Sequence, residues 1–67
     1  MEKTIGMKIR ELRKQRGMKQ WELSVAVNTT QPHISQIERG KMQGKWELIE
    51  RIVDALGARI EIRIETK

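Results

Sequence analysis

The sequence predicts an all-α domain of four, at most five, short helices, followed by a C-terminal β-strand that pairs between two copies of the chain. Three observations carry this. Apolar residues recur at helical spacing in two separate segments, Ile5–Ile9–Leu12 and Trp46–Ile49–Val53–Leu56, as along the buried stripe of an amphipathic helix. Between them, the stretch Gln20–Arg39, QWELSVAVNTTQPHISQIER, has the pattern of two short helices joined by a tight turn. After Gly57 the pattern switches to strict alternation in ARIEIRIE, Ala58–Glu65, which is the period of a strand rich in β-branched residues. Residues 1–57 therefore form the helical domain, and 58–67 the strand and tail.

Helix one runs from a Thr4 cap to about Arg16, with Ile5, Ile9 and Leu12 facing the core and Lys8, Arg10, Lys14 and Arg16 covering the rest. Gly17 follows basic residues and ends it. Helix two runs from about Gln20 to Val27. Ser24 is small where the second and third helices cross. Asn28 tolerates a left-handed backbone at the turn. Thr30 caps helix three, about Gln31–Arg39, through its hydroxyl. Pro32 sits in the first turn, where a missing N–H costs nothing. Ile34 and Ile37 point back at Leu23 and Val27. Gly40 ends the helix, and Lys41–Lys45 is a basic loop in which Met42 is expected to fill a gap. Helix four, about Trp46–Leu56, carries Ile52 beside its stripe and closes at Gly57.

Sixty-seven residues make one domain. A chain of that size buries only about 60% of its unfolded surface, so a second copy is an obvious supplement. The sequence contains no cysteine, which excludes a disulfide framework and a thiolate metal site and favours an intracellular, cytoplasmic protein. No apolar run approaches the ~20 residues of a membrane span, and the charged, periodic N-terminus is not a signal peptide. The net charge is +5 and the pI about 10.1. Residues 1–19 hold seven Lys/Arg against two Glu, whereas residues 46–67 hold four against five acids. A basic face at one end suits a polyanion; a solvated surface is the plainer account of the same charges. His33 is the sole histidine, so neither a metal site nor a catalytic triad is expected. With no paired-carboxylate cleft or phosphate loop, an enzyme and a cofactor are both excluded.

The spacing from Gln20 through Leu23, Ile34, Ile37 and Glu38 to Gly40, with IRELRKQRG before it and Leu56–Gly57 after, resembles the helix-turn-helix of the phage repressor and Cro (XRE-like) family over roughly residues 5–57. Two positions depart from it. Asn28 stands where the family usually has Gly, and Lys19 where it usually has a Ser or Thr cap. The resemblance implies sequence-specific binding to double-stranded DNA by a transcriptional repressor, with helix three in the major groove. Gln31, Pro32, Ser35 and Gln36 then lie where family members read bases. Gln presents a donor and an acceptor together to adenine, Ser bonds either kind of edge, and Pro offers apolar contact to a thymine methyl. Lys19, Gln20, Thr30, His33, Lys41 and Lys45 are candidates for phosphate contacts; any one of them is more often plain surface, and the set is the signal. Arg13 and Glu38 look like the family's structural pair joining helix one to the end of helix three. Trp21 and Val25, four apart on a side the family usually leaves polar, are either packed over a long neighbouring side chain or a protein-binding spot.

A lone strand leaves a row of unpaired backbone groups. The expected partner is the same strand of a second copy, giving a homodimer suited to a palindromic operator. Antiparallel pairing centred on Ile62 sets Ile60 against Ile64, Glu61 against Arg63 and Arg59 against Glu65, so every charged pair is opposite in sign. A short chain with such a strand resembles both DNA-binding antitoxins of toxin–antitoxin operons and Cro-like phage repressors, and that choice stays open. An antitoxin also needs a surface for its cognate toxin, for which Trp21/Val25 and the strand are the candidates. The remaining alternative is a protein-interaction module that kept the fold without reading DNA.

Overall fold

The Thr4 hydroxyl accepts a hydrogen bond from the Met7 N–H at 3.2 Å, and from that cap the chain coils into α1, Ile5–Gln15. The computed structural model describes residues 4–41 and 46–66. Three further helices follow: α2, Gln20–Ala26; α3, Gln31–Glu38; and α4, Trp46–Ala55. The architecture is all-α. Each helix stops one residue before the boundary expected from the sequence, because that residue is the half-helical cap.

All four helices end alike. Gly17, Asn28, Gly40 and Gly57 take positive φ of 58° to 84°. The following N–H returns to a carbonyl five residues back: Met18 to Arg13, Thr29 to Ser24, Lys41 to Gln36 and Ala58 to Val53. This left-handed cap satisfies carbonyls that would otherwise be orphaned. Asn28 adopts it at φ 58° without being glycine, as a short amide side chain allows. The helix starts differ. Thr30 accepts from the His33 N–H at 3.3 Å. Lys19 has no side-chain acceptor; instead Glu22 reaches back to the Lys19 N–H at 3.0 Å, supplying the half of a capping box that the missing hydroxyl does not.

The core is aliphatic. Ile9, Leu23, Val27, Ile34 and Ile37 of the first three helices meet Leu48, Ile49, Ile52, Val53 and Leu56. Ser24 is buried as expected. Two residues assigned to the core are not in it: Ile5 is 38% exposed and Trp46 43% exposed. In α1 the buried stripe is Gly6–Ile9–Arg13, rotated from Ile5–Ile9–Leu12. The cause is at Gly6, where a Cβ would collide with the Ile37 carbonyl oxygen. The helix approaches the α3 backbone so closely that glycine, not isoleucine, faces inward. In α4 the stripe is wider than expected and includes Leu48; Trp46 falls at its edge, about a quarter turn from the centre.

Among the described residues there is no strand. Residues 58–66 carry no regular secondary structure, since a β-ladder needs a second strand and one chain does not supply it. Ala58 and Ile60 pack against the core, while Ile62 and Ile64 are 71% and 85% exposed. Arg59 Nη2 lies 2.9 Å from Glu61 Oε1, and Arg63 Nε lies 3.9 Å from Glu65 Oε1. Pairs two residues apart share a side only when the backbone is extended.

Candidate nucleic-acid interface

α2 and α3 pack on each other and α1 packs on α3, so the pose of α3 is set by both neighbours. One carboxylate ties the three together. Arg13 Nε donates to Glu38 Oε2 at 2.7 Å and Nη2 to Oε1 at 3.0 Å, a bidentate fork. Gln20 Nε2 donates to Glu38 Oε1 at 3.2 Å. Arg13 Nη1 also donates to the Met18 carbonyl at 2.8 Å. The ion pair is enclosed, with side-chain exposures of 10% and 2%. Arg13 thus locks the end of α1 to the end of α3, and Gln20 adds the start of α2.

With Ile34, Ile37 and Glu38 buried, the opposite face of α3 is open. Gln31, Pro32, Gln36 and Arg39 are exposed on it, and Ser35 is half-buried. Three of the four base-reading candidates are therefore accessible together, with Arg39 beside them. Ser35 is engaged within the helix: its hydroxyl accepts from Arg39 Nη2 at 2.9 Å. Arg39 escaped the sequence reading, although it lies seven after Pro32 and three after Gln36, a spacing that puts all three on one side.

The phosphate candidates scatter. Lys19, Thr30 and Lys41 are exposed. Gln20 is half-buried and spends an N–H on Glu38. His33 lies on the flank, its Nδ1 3.0 Å from the Thr29 hydroxyl. Lys45 and Met42 lie outside the described residues. Gln20 and Ser35, from different helices, come together in one cleft with Met7, Arg10, Glu38 and Arg39. Arg10 also escaped the sequence reading. So did Arg16, whose Nε donates to the Leu56 carbonyl at 3.1 Å and holds α1 to the end of α4. Trp21 and Val25 are exposed on α2. Arg59, Ile60, Glu61, Ile62, Arg63, Ile64 and Glu65 lie on the tail, which with α4 borders a separate groove between Trp46 and Ile62.

Comparison with known proteins fits this arrangement. The clp gene regulator ClgR from Corynebacterium glutamicum is 31% identical with a TM-score of 0.78, over 82% of this chain and 58% of that one. The chain thus spans little more than half of that regulator. The P22 c2 repressor, solved with a synthetic operator, is 28% identical with a TM-score of 0.79, over 85% of this chain and 86% of that one. SinR, a master regulator of biofilm formation solved with DNA, is 25% identical with a TM-score of 0.73, over 82% and 89%. No curated protein sequence matches. The helix-turn-helix domain profile matches residues 4–63. With four helices in the repressor-like arrangement and a match over nearly its whole length, the chain belongs to the helix-turn-helix domain family.

Proposed function

We propose that the chain is a sequence-specific repressor of transcription that binds double-stranded DNA as a homodimer on a palindromic operator. The observation that carries this is the open face of α3, with Gln31, Pro32 and Gln36 exposed on a helix pinned by a buried ion pair. The relatives solved with an operator and with DNA support the same reading. α3 of each copy enters the major groove, with half-sites about 34 Å apart. Gln31 and Gln36 read base edges, Pro32 makes apolar contact, and Lys19, Gln20, Thr30, His33, Lys41 and Lys45 serve the backbone. The protein works in the cytoplasm, on the nucleoid. A finer reading is an autoregulating antitoxin. It is favoured by Trp21 and Val25, large apolar side chains exposed on α2, which offer a surface to a cognate toxin.

The test of base readout is a pair of substitutions on the operator found by footprinting upstream of the chain's own gene. Gln31→Ala and Gln36→Ala each weaken the cognate site by about 1–3 kcal/mol and leave non-specific duplex nearly unchanged. Equal losses on every sequence would make these residues positioning groups rather than readers.

The dimer is tested on the tail. Antiparallel pairing about Ile62 leaves the exposed isoleucines on one side, and one two-fold axis then serves both ribbon and operator. A one-residue slip sets isoleucine against charge. Ile62→Cys therefore oxidises readily to a linked dimer. Ile62→Lys with Ile64→Lys, at positions 71% and 85% exposed, leaves the helical domain folded but monomeric by sedimentation. A double variant that stays dimeric removes the strand from the interface.

A further inference from the structure

The cleft between α1 and α3 holds charge that the candidate interface has not used. Met7 and Arg10 of α1 form one wall, Ser35 and Arg39 the other, and Gln20 and Glu38 complete the lining. The only carboxylate among these lining residues is Glu38, and it is consumed. It accepts two bonds from Arg13 and one from Gln20. Arg10 is exposed and has no carboxylate partner among the described residues. Arg39 is exposed, and among the described residues its guanidinium donates to the neutral Ser35 hydroxyl. Two arginines thus line one cleft with no described carboxylate left to match them. Guanidinium forks suit phosphate oxygens, and the cleft adjoins the open face of α3, because Ser35 lies on that helix and Arg39 caps its end.

We propose that this cleft seats one phosphate of the DNA backbone, held from α1 by Arg10 and from α3 by Arg39. Ser35 is then a positioning residue for Arg39 and not a reader of bases. Its hydroxyl oxygen accepts from the guanidinium and holds the side chain along the helix toward the cleft, so that less rotamer freedom is lost on binding. The proposal rests on the DNA-binding reading and deepens it. It adds α1 to the interface and moves one residue from specificity to placement.

Salt dependence tests it, because each neutralised phosphate contributes about 0.9 to the slope of log affinity against log salt. The probe is a mixed-sequence duplex, read by fluorescence anisotropy with the full chain. Arg10→Gln and Arg39→Gln each lower the slope by about 1, and the double variant also loses about 1, since both serve one phosphate. Ser35→Ala weakens cognate and mixed-sequence duplex by the same factor. Unchanged circular dichroism and melting of the variants keep folding out of the comparison, as expected for exposed positions. A loss of about 2 in the double variant means two separate phosphates and overturns the shared seat. Unchanged slopes overturn the site altogether. A Ser35→Ala loss confined to the cognate site restores Ser35 as a base reader. A flat salt response of the parent chain would instead overturn the DNA-binding reading itself. Inorganic phosphate titrated into the free protein binds only at millimolar levels or weaker; sub-millimolar binding would make the cleft a site for a free anion, not for a duplex.

Discussion

Gly6→Ala lowers the stability of this domain by about 3 kcal/mol or more, the upper range of overpacking. The sign is the opposite of what helix propensity predicts. At an ordinary interior position of a helix, alanine is better than glycine by about 1 kcal/mol. At Gly6 the added methyl meets the Ile37 carbonyl oxygen, with the Ile37 carbonyl carbon at 3.0 Å and the Glu38 carbonyl carbon at 3.3 Å. These are backbone atoms of α3 and cannot rotate aside like a side chain. Relief requires α1 to move away, which also lengthens the Arg13–Glu38 fork two turns further along. A domain of this size has about 3–10 kcal/mol in total, so the substitution removes about a third of it or more. Thermal melting decides it, since 1 kcal/mol moves the midpoint by about 4–8 °C in a small domain. A Gly6→Ala protein that melts at or above the parent would show that α1 and α3 are not in backbone contact.

Arg13→Ala costs about 3–5 kcal/mol, the penalty for stranding a buried charge. Among the described residues Glu38 then keeps the Gln20 amide at 3.2 Å, and the Met18 carbonyl loses the Arg13 donor. The fault lies at the last residue of α3, so the recognition face loses its anchor together with the fold. Glu38→Ala strands Arg13 in the same way. Replacing both, as Arg13→Met with Glu38→Leu, removes the charges together and recovers most of the stability, because an apolar pair of similar volume is often neutral or better. A double-mutant cycle in urea measures the coupling. Additive losses with no coupling would mean that the pair does not act as a unit. Where the double variant folds, its DNA affinity separates two roles. Affinity equal to the parent makes the pair structural alone. A loss shows that Gln20, deprived of its acceptor, must be held in place for binding.

Helix ends and the two-helix pair were legible from local chemistry. Thr4 and Thr30 cap where a hydroxyl is needed. Gly17, Asn28, Gly40 and Gly57 stand where the backbone turns left-handed. Both are decided within a few residues, so sequence suffices. The Arg13–Glu38 pair joins residues 25 apart in sequence and came from family resemblance, not from spacing. The tertiary structure decided what periodicity cannot: which face of a helix lies against a neighbour. A stripe at i, i+4, i+7 fits Ile5–Ile9–Leu12, but the approach of α1 to the α3 backbone turns Gly6, Ile9 and Arg13 inward. Trp46 is apolar and in phase, yet the core meets α4 around Leu48, Ile49 and Ile52. Arg10 and Arg39 share a cleft only because α1 and α3 pack side by side. Sequence determines where each helix begins, ends and turns apolar, because those are short-range balances of caps and propensities. Helix rotation and the convergence of charges from distant segments depend on how closely whole backbones can approach, and here a single missing methyl group at Gly6 sets that distance.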